Sequence, residues 1–151
     1  MDINIEMIPS HKIAYIRRTG PYGSENVKIM EQLKSWAREK DLLNESSIIL
    51  GIGQDDPQYT EPKNCRYDVC LVVSDEFTVN NKFINLGRII SGKYCVFKIS
   101  HTVGAMQKAW MEIFDELSKR NYQFDKERHI IERYAVQMIN KHFCEICVPI
   151  L

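Results

Sequence analysis

Net charge is missing from this chain: twenty basic residues balance twenty acidic ones. Without an excess of positive charge, there is no electrostatic basis for holding nucleic acid or an anionic membrane. Long apolar runs are missing too. The amino terminus, Met1-Asp2-Ile3-Asn4-Ile5-Glu6, is acidic and carries neither a signal peptide nor a membrane span, so a cytoplasmic location is expected. Glycine and proline, seven and five residues, are too few for a low-complexity segment. The one glycine pair at close spacing, Gly51-Ile52-Gly53, runs into Asp55 and Asp56 rather than a helix start, so it makes no phosphate cradle. No Ser or Cys stands at a recognisable spacing from a base, and the four histidines form no pattern. Neither a cofactor nor a metal is expected. The five cysteines, an odd number, fit a reduced compartment. Cys144-Glu145-Ile146-Cys147 spells a redox or zinc motif, but in a strand its two thiols point to opposite faces and read as structural.

What the chain does contain is itself, twice. A shift of 81 positions lays Ile8-Pro9-Ser10-His11-Lys12 over Ile89-Ile90-Ser91-Gly92-Lys93, Gly23 over Gly104, and Met30-Glu31 over Met111-Glu112. In the same register Gly51-Ile52-Gly53 meets Glu132-Arg133-Tyr134. With four residues removed from the second copy, Tyr67-Asp68-Val69-Cys70 meets Cys144-Glu145-Ile146-Cys147. The expectation is one domain spanning residues 1–151, built from a module of about 1–76 and a second of about 77–151. Positions where the copies differ in chemical kind are the places to look for function.

Each copy reads as strand, turn, strand, helix, strand, strand. Runs 3–8 and 13–19 flank Pro9-Ser10-His11, and runs 83–90 and 94–100 flank Ser91-Gly92. The first helix covers about 24–40 and is expected to bury Val27, Met30, Leu33 and Ala37. The second carries Met106, Ala109, Trp110, Ile113, Phe114 and Leu117 at helical spacing, with Thr102 placed to cap it. Closing strands fall at 48–53 and 67–73, then at 130–138 and 143–150. Between the first pair, residues 54–64 form an exposed acidic loop. One helix cannot cover a module's apolar sheet, so the two modules should pack about a pseudo-twofold axis. The fold class is α+β: duplicated β-α-β-β modules, a mainly antiparallel sheet and one long helix per module.

The chemically odd position is Glu132. Along His129–Met138, even positions give Ile130, Glu132, Tyr134, Val136 and Met138, an apolar set holding one acid, while odd positions are largely polar. A carboxylate on the apolar face is costly unless paired, which predicts a raised pKa. Two plainer readings stay open: an ion pair from another strand, or a one-residue bulge that turns the acid outward. Tyr134 shares the face, Trp110 and Phe114 lie on the helix stripe, and Tyr15 and Tyr67 sit on strands with apolar inward residues. Such aromatics around a buried anion suit a lipophilic cation, although core packing accounts for each aromatic taken alone.

The chain resembles the gyrase-inhibitor-like (GyrI-like) small-molecule-binding domains, and is similar to the effector-binding domains of AraC-type and MerR-type multidrug regulators. The resemblance rests on Thr19-Gly20-Pro21-Tyr22, Gly51 followed by Asp55-Asp56-Pro57, Cys65-Arg66-Tyr67-Asp68-Val69-Cys70, Gly92-Lys93-Tyr94, Ala109-Trp110, Glu132-Arg133-Tyr134 and Ile146-Cys147-Val148-Pro149-Ile150. It implies a pocket between the modules, a pocket glutamate at Glu132 with Trp110 and Tyr67 among its aromatics, and a cationic, hydrophobic ligand. No DNA-binding helix-turn-helix is expected beside the domain, and the chain resembles the free-standing members.

Three functions follow for testing. The first is binding of cationic amphipathic small molecules, as a sensor or sequestering protein, through Glu132, Trp110, Tyr67, Tyr134, Tyr15 and Phe114. The second is hydrolysis of reactive ring-containing genotoxins, with Glu132 as general acid/base. The third is inhibition of a protein partner of the gyrase type, with Asp55, Asp56 and Glu61 mimicking a phosphate backbone. No membrane or direct nucleic-acid partner is expected.

Overall fold

A computed structural model describes residues 2–151. Its elements run β1 (Asp2–Ile8), β2 (Lys12–Thr19), α1 (Glu25–Glu39), β3 (Ile48–Gly53), β4 (Arg66–Val73), β5 (Asn85–Arg88), β6 (Gly92–Ser100), α2 (Val103–Lys119), β7 (Ile131–Ala135), the single-turn α3 (Val136–Ile139) and β8 (Phe143–Pro149). All eight strands form one sheet in the order β1-β6-β8-β7-β3-β4-β2-β5, and every neighbour is antiparallel. The fold is the α+β architecture expected.

Register carries the pseudo-symmetry. Ile13 faces Val72 between β2 and β4, and the matching residues Tyr94 and Pro149 face each other between β6 and β8. Leu50 faces Cys70, and Ile131 faces Cys147. At the centre, where β3 pairs with β7, Gly51 stands directly opposite Glu132. These two are superimposed by the 81-residue shift, so the pseudo-axis passes between them.

Strands joined by the short turns do not pair. β1 lies against β6 of the other half, and β5 lies against β2. Three residues join β1 to β2, although six strand spacings separate them in the sheet. A flat sheet would put them about 29 Å apart, whereas the linker reaches only about 14 Å. The sheet must therefore curl until its edges approach. The two linkers then meet, with Ile89 N donating to His11 O at 3.0 Å. This closes the helix-free face, where Ile8, Ile13, Leu50, Ile52, Cys70, Ile89, Tyr94, Val96, Ile131 and Cys147 form a core. Odd positions of β7 point into it, which corrects the expectation of a polar face. Arg133 is there because Glu6 grips it with two oxygens at 2.8 and 3.0 Å and Glu145 accepts from its Nε at 2.8 Å.

The other face carries both helices. α1 buries Ile29, Leu33, Trp36 and Ala37, while Val27 is exposed, so the apolar stripe lies further round than its spacing suggested. α2 buries Ala109, Ile113 and Leu117, and Thr102 Oγ1 caps it by accepting from Ala105 N at 3.1 Å, a contact worth about 1 kcal/mol. Asp41 and Asn121, just past the two helices, adopt left-handed backbone angles that end them. The strand expected over 130–138 stops at Ala135. From Val136 the chain turns helical, with Val136 N bonded to Ser47 O at 3.0 Å. All five cysteines are buried thiols, with Cys144 and Cys147 in cores on opposite faces of the sheet. No helix among the described residues is long and apolar enough to cross a membrane.

Candidate functional site

Alternation along β7 puts Ile131 and Arg133 on the closed face, and Glu132 and Tyr134 on the helix face. Glu132 thus arrives on the pseudo-axis at the seam between the α1 and α2 cores. Tyr134 belongs to both of those cores. β4 supplies Tyr67, which is 7 % exposed. Its hydroxyl donates to Glu132 Oε1 at 2.8 Å, and the Tyr134 hydroxyl donates to Oε2 at 3.1 Å. Part of the Glu132 surface stays accessible. None of the ion pairs among the described residues includes it.

Desolvation raises the Glu132 pKa above the usual carboxylate range, and the two hydroxyl donors pull it part of the way back. Both phenols are in turn driven well above ordinary tyrosine values, first by their own burial and then by the nearby carboxylate. The Cys144 thiol, in the α2-side core, is pushed up to about 11 by burial and then by Glu132. His101 stands edge-on to Tyr134 with ring centroids 5.7 Å apart. Burial, followed by Lys34 of α1, lowers the His101 pKa, so its ring favours the neutral form.

Of the residues expected at the site, Glu132, Tyr67 and Tyr134 come together. Tyr15 does not: it packs on the helix-free face, with the Arg17 guanidinium 5.6 Å from its ring centre. Parity decides this, because Ala14 takes the helix face and its neighbour must take the other. Trp110 and Phe114 lie on the flank of α2 rather than its buried stripe, 38 % and 47 % exposed, and Phe114 packs edge-on against Phe124. Two cavities lie elsewhere. One, of about 20 Å³, touches Ile8, His11, Leu50, Arg133 and Cys147 on the closed face. The other, of about 260 Å³, is bounded by Leu42, Asn44, Ser47, Val73 and Phe77. Neither is lined by Glu132. In the acidic loop, Arg66 clasps Asp55 through both carboxylate oxygens and holds its pKa down to about 2, and Lys63 Nζ lies 3.5 Å from Glu61 Oε2, so two of the three acids expected there are paired.

Sequence reasoning missed His101 and Gly51. Nothing in the spacing of the histidines signals the first. The second was visible as the repeat partner of Glu132, and its role appears only when a side chain is imagined on it. A Cβ at Gly51 would overlap the Tyr67 hydroxyl and lie 2.9 Å from Glu132 Oε1.

Comparison with known proteins bears on this geometry. The profile described as "GyrI-like small molecule binding domain" matches residues 1–151. The chain is 43% identical to the "SPbeta prophage-derived putative transcriptional regulator YosT" of Bacillus subtilis (strain 168), over 99% of each chain. Its fold is similar to the EcmrR C-terminal domain, with a TM-score of 0.76 at 15% identity, covering 99% of this chain and 97% of that one. It is similar also to SAV2435 bound to tetraphenylphosphonium, with a TM-score of 0.59 at 15% identity, covering 100% and 94%.

Proposed function

Because the chain belongs to the GyrI-like small molecule binding domain family, we propose that it binds cationic, lipophilic small molecules at the α1–α2 seam, with Glu132 as the anionic anchor. The observation that carries this reading is a desolvated carboxylate whose side-chain partners among the described residues are two neutral phenols. A structural acid at such depth would have a guanidinium beside it, as Glu145 has Arg133. Glu132 already spends a lone pair on each hydroxyl, so the partner it suits needs charge more than directional donors. An onium ion or a delocalised aromatic cation fits that need, and the faces of Tyr67 and Tyr134 add about 0.5–2 kcal/mol each where water is excluded. Trp110 and Phe114, half-exposed on the α2 flank, are the aromatics available to close over it. That SAV2435 takes tetraphenylphosphonium on the same fold supports the choice of probe. We read the two halves as copies of one unit whose axial position became acidic in one copy only, and the protein as a cytoplasmic sensor or sequestering module.

The test is calorimetric titration with tetraphenylphosphonium and with tetraphenylborate, which share shape and differ in sign. Saturable binding of the cation and none of the anion is expected. Equal binding of both removes the electrostatic reading.

A second reading, hydrolysis of a strained electrophilic ring, draws on the same geometry. A raised-pKa carboxyl bonded to two hydroxyls can hold and deprotonate a water. Incubation with a ring-containing electrophile, followed by mass spectrometry, separates the two. A product heavier by one water supports hydrolysis if it forms with the wild type and not with Glu132→Gln.

A further inference from the structure

The two residues on the pseudo-axis, Gly51 and Glu132, differ in chemical kind, and the structure gives a reason why one of them has no side chain. Gly51 is buried, and its backbone is not in the left-handed region, unlike Gly20, Gly23 and Gly92. Any residue could adopt its conformation, so conformational freedom does not explain the glycine. Space does. Gly51 faces Glu132 across the β3–β7 ladder, and on the next strand Gly51 faces Val69, two residues along β4 from Tyr67. The Tyr67 ring therefore reaches Glu132 by passing over Gly51. A Cβ there would overlap the Tyr67 hydroxyl, lie 3.0 Å from its Cζ and come within 2.9 Å of Glu132 Oε1.

We propose that Gly51 is a positioning residue: its bare Cα is the gap through which the Tyr67 hydroxyl reaches Glu132 and fixes the carboxylate's orientation. The copy relation makes this specific. Tyr67 corresponds to Cys144, and Gly53 to Tyr134, so the phenol that crosses the axis comes from one module and meets the acid of the other. Were both axial positions to carry side chains, the crossing would be blocked. The site can hold one carboxylate, supported from across the axis, only while its twin is glycine. This inference deepens the cation-binding reading of Glu132 but rests on geometry that exists without a ligand.

The test uses the full chain and reads the Glu132 side-chain carboxyl by carbon NMR across a pH titration, with no ligand present. Losing the Tyr67 hydrogen bond removes one of the two contacts that lower the Glu132 pKa, so Tyr67→Phe is expected to shift the titration upward. Gly51→Ala is expected to shift it the same way, and Gly51→Ala/Tyr67→Phe to match Tyr67→Phe alone. A Gly51→Ala protein that titrates like wild type, or effects that simply add in the double variant, would overturn the proposal. If Gly51→Ala does not fold, the pair Tyr67→Leu and Gly51→Ala/Tyr67→Leu replaces it, since the shortened side chain vacates the gap. The two should then melt within a few degrees of each other, and unfolding of the double variant alone would refute the idea. A tetraphenylphosphonium titration run in parallel keeps the two proposals apart. Shifts as expected without any cation binding leave Gly51's role standing and remove the ligand reading.

Discussion

Replacing Glu132 by Gln removes the charge and keeps the shape, and its consequences for folding and for ligand binding have opposite signs. The amide oxygen still accepts from the Tyr67 hydroxyl, and the amide nitrogen donates to the Tyr134 oxygen, whose own O–H then turns away as it does beside a protonated Glu132. Burial raises the folded-state pKa of Glu132. Below the ordinary carboxylate range both folded and unfolded chains are protonated, and Glu132 costs nothing. Above the folded-state pKa the whole penalty is present, at about 1.4 kcal/mol per unit of upward shift. Glu132→Gln should therefore melt higher than wild type at neutral pH, by about 2–4 °C for each kcal/mol relieved. The gap should close as pH falls through the folded-state pKa. Binding moves the other way. A unit charge about 5 Å from the carboxylate gains at most about 3 kcal/mol at an effective dielectric near 20, so the variant should bind tetraphenylphosphonium about 10- to 100-fold more weakly. Wild-type affinity should rise with pH as Glu132 ionises, and that of the variant should be flat. Differential scanning fluorimetry and calorimetric titration across pH read both effects. Equal affinities and parallel pH profiles in two folded proteins would refute the reasoning.

Arg133→Met should cost about 2–4 kcal/mol in urea unfolding at neutral pH, chiefly because Glu145, 13 % exposed, is left without its cation. Glu6, at 38 %, is better screened by solvent. The Arg133 hydrogen bond lowers the Glu6 pKa, so its contribution is present above the unfolded value and is lost as pH falls through the folded one. Wild type should accordingly lose its advantage over Arg133→Met on acidification, and an unchanged neutral-pH midpoint would contradict the network. On α2, Ile113→Ala should cost about 2–5 kcal/mol because Ile113 is fully buried. Trp110→Ala and Phe114→Ala should each cost less than about 1.5 kcal/mol, since half-exposed side chains leave no closed cavity. Thermal unfolding of the three variants ranks them, and a Trp110 loss as large as that of Ile113 would place Trp110 in the core.

Local alternation and helical spacing were legible in the chain because they depend on near neighbours alone. They located both long helices, the Thr102 cap, the strands of each half and the inward turn of Glu132 together with Tyr134. The 81-residue register said more, since it already paired Gly51 with Glu132, the two residues that face each other at the sheet's centre. What parity cannot supply is which face of the sheet a strand's apolar side serves when both faces are buried. Tyr15 and Arg133 were misjudged for that reason. The sheet curls on itself and builds a second core where the odd positions of β7 had read as polar, and the exchange of β1 and β5 between halves accompanies that curl. Trp110 and Phe114 depend on how α2 is rotated over its strands, a choice made by packing across the sheet rather than by spacing along the helix. The sequence alone placed one acid on an apolar strand face beside aromatics and left open whether it would be paired or turned outward. The tertiary structure decided which aromatics reach it, because contact across a pseudo-axis depends on residues some 65 positions apart being brought over a gap that one glycine leaves open.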